Sequence, residues 1–71
     1  MIIRSQDGVE YDIYTFSTEG NCVYCQDNAD RRRKRLLGKY SSIAKATEVF
    51  EAIRRCVDGY FNMPSDKDVE V

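Results

Sequence analysis

Between Ile43 and Tyr60 the apolar residues Ile43, Ala46, Val49, Phe50, Ile53, Cys56, Val57 and Tyr60 recur at steps of three and four. That spacing places them on one face of an α-helix, with Lys45, Glu48, Glu51, Arg54, Arg55 and Asp58 on the opposite face. Ser41 or Ser42 stands where a hydroxyl accepts from the first free helix N–H groups. Glu51 and Arg55, at i and i+4 with the acid first, are an expected surface pair. Gly59 falls where a left-handed residue would close the helix. A single apolar helix face must be buried against one other apolar face. With 71 residues the chain has length for one such layer and for one domain.

The partner layer is legible upstream. Met1 to Ser5 reads as a short strand stopped by Gln6-Asp7-Gly8, because Asp-Gly favours a turn. From Val9 the chain alternates, with Val9, Tyr11, Ile13 and Thr15 expected on a buried face and Glu10, Asp12, Tyr14 and Phe16 on the other. Ser17 to Asn21 connects to a third strand, Cys22 to Gln26, and Asp27 to Asp30 forms a second polar turn. A fourth strand is expected from Arg32 to Tyr40. Connections this short imply antiparallel neighbours, since parallel pairing needs a long crossover. The expected fold class is therefore α+β: a three- to four-stranded antiparallel meander (β-β-β-β-α) packed on one long C-terminal helix, in two layers. Residues 1–64 make the domain, and residues 65–71, acidic and following Pro64, are expected to fray.

Hydrophobic residues at 42% and charged residues at 32% fit a folded domain rather than a disordered one. No segment approaches the roughly 18 consecutive apolar residues that cross a bilayer, so no membrane partner and a cytoplasmic location are expected. Three cysteines, an odd number, suit reduced thiols in that compartment. A domain of this size buries only about 60% of its unfolded surface, which makes association with a second copy, a homodimer, a reasonable expectation.

The formal net charge of −1 conceals a division along the chain. Residues 1–30 carry a net −5, residues 31–57 a net +7 and residues 58–71 a net −3. The positive segment opens on Arg31-Arg32-Arg33-Lys34-Arg35, five adjacent cations that need counter-charges, solvent or an anionic partner. With Tyr14, Tyr24 and Tyr40 nearby in the strand pattern, the run is a candidate contact for nucleic acid or for an acidic protein. The competing reading is a solvated hairpin end, blunted by its charges and neutralised by Asp27, Asp30 and the acidic second strand.

Other chemistry is sparse. The chain has no histidine, which removes Ser–His, Cys–His and two-His metal arrangements. Gly8, Gly20, Gly38 and Gly59 are scattered, so no phosphate-cradling glycine loop exists. Cys22-x-x-Cys25 could hold half a zinc site or a redox pair. An offset of three within a strand, however, sends the two thiols to opposite faces, and Cys56 is the only further thiol. No enzyme activity, cofactor or metal is expected.

Three segments carry a resemblance. Met1-Ile2-Ile3-Arg4-Ser5-Gln6-Asp7, then Leu37-Gly38-Lys39-Tyr40-Ser41-Ser42 leading into Lys45-Ala46-Thr47-Glu48-Val49, and Met63-Pro64 with Asp66, resemble a group of short uncharacterised proteins from bacteria and their prophages. The resemblance implies a cytosolic single domain of three or four strands with a helix, accessory to a mobile element. It assigns no functional residues. The expected function is binding through protein–protein contact or self-association, with nucleic-acid binding through Arg31 to Arg35 as the alternative.

Overall fold

A computed structural model describes residues 1–71 as an α+β domain. The strands are β1 (Ile2–Arg4), β2 (Glu10–Glu19), β3 (Cys22–Asp27), β4 (Lys34–Lys39) and β5 (Tyr60–Asn62), with the helix α1 (Ile43–Arg55) between β4 and β5. They form one sheet in the order β4-β3-β2-β1-β5. The meander expected from the short turns is present as β1 to β4. The fifth strand is an addition, and it lies parallel to β1, with Ile2 opposite Tyr60 and Arg4 opposite Asn62. The sheet is therefore mixed, not purely antiparallel. The long connection between these parallel neighbours runs through β2, β3 and β4, and α1 carries the chain from β4 at one edge back to β5 at the other.

The helix is shorter than the apolar spacing predicts. Ser42 caps it, its hydroxyl accepting from Lys45 N–H at 3.1 Å. It ends at Arg55, where Cys56 turns extended and its N–H bonds Ile53 O at 3.1 Å. The reason is competition from the sheet. Gly59, at φ +79°, bends the chain so that its carbonyl accepts from Ile2 N–H, and residues 60–62 are taken by β1. Val57 is left 93% exposed and Ile43 65% exposed, so the buried stripe is Ala46, Val49 and Ile53. The expected Glu51–Arg55 pair does not form. Glu51 meets Arg54 at 3.2 Å, and Arg55 lies 3.7 Å from Glu48.

Register explains which side of the sheet each strand residue faces. In β2 the pairing with β3 slips between Ile13 and Thr15, a bulge centred on Tyr14. Strict alternation would place Phe16 opposite to Ile13. The extra residue instead returns Phe16 to the side of Tyr11 and Ile13, where its ring lies 5.1 Å from that of Phe50 on α1. Thr15 is correspondingly exposed, and Val9, ahead of the strand, is 48% exposed. A second slip, between Val23 and Tyr24, makes Leu37 the extra residue in β4. Leu37 is buried while its neighbour Leu36 is 45% exposed. Gly38 permits the close approach there: a Cβ would stand 3.0 Å from Gln6 Cδ and 3.1 Å from the Tyr40 ring.

The inner face and α1 enclose Ile3, Val23, Cys25, Leu37, Tyr40, Ala46, Val49, Ile53, Met63 and Val69. The sheet also curls. Gln6, just beyond β1, reaches the free edge of β4, its N–H bonding Leu37 O at 2.9 Å and its Oε1 accepting from Lys39 N–H at 2.8 Å.

The C-terminal segment, read from sequence as a frayed tail, is tied down as far as Val69. Asp66–Asp68 forms a 3-10 turn, and Val69 is buried. Asp66 Oδ1 accepts from Ser41 N–H at 2.7 Å, while Lys45 Nζ donates to Asp66 O at 2.8 Å. The Ser41 N–H bond, helped by Lys45, holds the Asp66 carboxyl below its ordinary value. Polar side-chain bonds at the helix start, rather than an apolar run, therefore secure this segment.

Candidate functional site

The basic run divides between two elements. Arg31, Arg32 and Arg33 belong to the β3–β4 turn, and Lys34 and Arg35 open β4. The fourth strand thus begins two residues later than the sequence pattern predicts. Local hydrogen bonding sets that boundary. Asp27 Oδ1 accepts from Asp30 N–H at 2.8 Å, and Asp30 accepts from the N–H groups of Arg32 and Arg33 at 3.1 and 3.3 Å. These side-chain and backbone bonds hold the residues in a turn in preference to a ladder.

Each cation has its own surroundings. The Arg31 guanidinium lies 4.1 Å from the Tyr14 ring centroid and donates twice to Asn28 Oδ1, at 3.3 and 3.0 Å. Arg32 stands 4.0 Å from Asp30 Oδ1 with its side chain 97% exposed. Arg33 is exposed and contributes its backbone N–H to the turn. Lys34 forms an ion pair with Glu19 and sits 4.7 Å over the Tyr24 ring. Arg35 points the other way, inward, with Nε 4.0 Å from Asp27 Oδ2 and its guanidinium 6.0 Å from the Tyr11 ring. Its Nε is buried without a hydrogen-bond partner. Asp27 is itself 7% exposed, so this pair sits in a partly desolvated corner of the inner face.

The run is therefore not one continuous patch. Arg35 is drawn into the fold, Lys34 is matched by Glu19, Arg31 is laid on an aromatic ring, and Arg32 and Arg33 project. Of the three tyrosines that the sequence places near the run, Tyr14 and Tyr24 lie beside it. Tyr40 does not. It is 2% exposed, its hydroxyl donates to Pro64 O at 2.8 Å, and burial pushes its phenol up to about 12.

The side of the sheet away from α1 carries a coherent surface. Ser17, Tyr24 and Leu36 form one cross-strand row over β2, β3 and β4, and Thr15, Gln26 and Lys34 form the next. Tyr14, 54% exposed at the bulge, stands beyond them with Arg31 on its ring. Leu36 was hidden from sequence reasoning because the Leu36-Leu37 pair looks like core on both sides. Strand alternation separates them, and the bulge at Leu37 turns Gly38 to the inner side as well.

The cysteines follow the strand geometry. Cys25 faces the core, where burial first and Asp27 second push its thiol up to about 11. Cys22 is half-buried on the outer side. The two do not converge, and no group of three or more metal-ligating side chains occurs in the chain. No helix is long and apolar enough to cross a membrane.

A groove of about 230 Å3 lies between α1 and the docked C-terminal segment. Val49, Ala52 and Val69 line it, with the carboxylates of Glu48, Asp68 and Glu70 around them. The sequence could not point to it while residues 65–71 were read as free chain. No protein-family model matches this chain, and no curated protein or solved structure is significantly similar to it.

Proposed function

We propose that this chain is a non-enzymatic binding protein that acts by protein–protein contact in the cytoplasm, as an accessory of a mobile element. One observation carries the reading. The outer face presents Tyr14, Tyr24 and Leu36 together, with Arg31 and Lys34 resting on the two tyrosine rings. Tyrosine and arginine are enriched among the residues that dominate interface energetics, because each buries a large amphipathic surface. Of the two cations on these rings, Lys34 is matched by Glu19, while Arg31 is held only by Asn28 and the Tyr14 ring and brings a positive charge to the contact. The test is affinity capture from nuclease-treated host extract with the wild-type chain and a Tyr14→Ser, Leu36→Ser variant. The same protein partner should be retained by the first and lost by the second. Equal retention, or loss of all retained material on nuclease treatment, would contradict the reading.

A second reading has a specific support. Arg32 and Arg33 project into solvent from the turn that lays Arg31 on the Tyr14 ring, an arrangement that suits phosphate contact. Replacing Arg32 and Arg33 with Ala would then abolish nucleic-acid binding while leaving the thermal midpoint unchanged.

A further inference from the structure

Resting on the reading of this chain as a contact protein, we infer that the acid-rimmed groove beside α1 receives the Arg32-Arg33 turn of a second copy, head to tail. The groove, at about 230 Å3, falls below the roughly 300 Å3 at which small-molecule sites begin, and its scale is that of one or two side chains. Its floor is apolar, from Val49, Ala52 and Val69, and its rim is acidic, from Glu48, Asp68 and Glu70. A side chain with an apolar stem and a cationic head matches both parts at once, the stem on the floor and the head at the rim.

The rim keeps charge to spare. Glu48 is shared with Arg55 at 3.7 Å, and Asp68 accepts a hydrogen bond from Ser65 Oγ at 2.8 Å. Glu70 is exposed and enters no ion pair.

The same chain carries the matching group. Arg32 and Arg33 are the two cations of the basic run that the fold does not tie to a ring or draw into a strand, and Arg32 is 97% exposed at the hairpin turn. No ion pair within the chain joins this turn to Glu48, Asp68 or Glu70. A net charge of −1 puts little overall repulsion between copies, so opposite local patches steer the encounter. Because turn and groove are different surfaces, the contact is heterologous. Each added copy leaves one free turn and one free groove, and the assembly grows with concentration without stopping at two.

The experiment is sedimentation velocity on the full chain under reducing conditions, across micromolar to millimolar concentration, at 50 and 500 mM salt. Wild type should grow beyond the dimer at 50 mM salt and return toward monomer at 500 mM. Arg32→Glu with Arg33→Glu, on the exposed turn, should weaken association at least about tenfold, as should Glu48→Gln with Glu70→Gln. An equimolar mixture of the two variants retains one intact turn and one intact groove, and it should form a 1:1 dimer that grows no further. A wild type that stays monomeric throughout would overturn the inference and leave the outer-face reading standing. So would a mixture that stays monomeric while wild type associates. Association abolished by Leu36→Ser and untouched by both charge variants would likewise overturn it, by assigning self-contact to the outer face.

Discussion

Neighbouring residues of like type in β4 fall on the two faces of the sheet and meet opposite surroundings. Leu37 is 1% exposed on the inner face and Leu36, next in chain, is 45% exposed on the outer one. Arg35 turns inward to Asp27, and Lys34 turns outward to Glu19 and Tyr24. Composition does not distinguish the members of either pair. Alternation along β4 decides which member faces α1, and the bulges at Leu37 and Tyr14 decide where Gly38 and Phe16 fall. The inner face stabilises the fold, and the outer face is the proposed contact surface.

The strongest way to break that contrast is to truncate one leucine of each kind. Leu37→Ala removes a fully buried side chain and should cost about 2–5 kcal/mol. A domain of this size has a total stability of only about 4–11 kcal/mol, so chemical denaturation should show a large loss or outright unfolding. Gly38→Ala comes next. The added methyl would press on the Tyr40 ring at 3.1 Å, and overpacking of this kind costs about 1–3 kcal/mol. A neutral Gly38→Ala would mean that the β4 edge yields more easily than the close contact implies.

Asp66 sharpens the comparison through pH. Its carboxyl is held below the ordinary value by Ser41 N–H and Lys45, so its contribution is present above the usual carboxylate range, near pH 4. That contribution is lost as pH falls through the lower folded value. Asp66→Asn should therefore lower the thermal midpoint at pH 6–7, and the difference from wild type should close at the acid end. A constant difference across pH would show that the side chain acts by shape alone. Smallest of all, Leu36→Ala should change stability by no more than about 0.5 kcal/mol in the isolated chain. A larger loss would put the outer face among the structural surfaces.

Much of this contrast could be read before the structure. The turn at Asp7-Gly8, the β1–β4 meander, the Ser42 cap and the opposite-facing Cys22 and Cys25 all follow from local chemistry, whereas Ser17 to Glu19, expected as part of a connection, continue β2 and leave only Gly20-Asn21 as the turn. Long-range pairing was not legible. Tyr60 to Asn62 continue a helical spacing, and only their alignment with Ile2 to Arg4 makes them a strand. The Tyr14 bulge reassigns Phe16 without any glycine to announce it. The docking of residues 65–69 depends on hydrogen bonds to Ser41 and Lys45, more than twenty residues away, which no local pattern encodes. The basic run was visible as a run, but its division into anchored and free cations required partners from other segments.

That division is the central claim, and the salt dependence of nucleic-acid binding tests it most directly. Fluorescence anisotropy of a labelled DNA duplex, titrated from 50 to 200 mM salt, counts the phosphates that the chain neutralises. If only Arg32 and Arg33 are free, any binding should have a log–log slope no steeper than about −1.8. A slope near −4.5, about five phosphates at about −0.9 each, that Arg32→Ala with Arg33→Ala leaves in place would contradict the account.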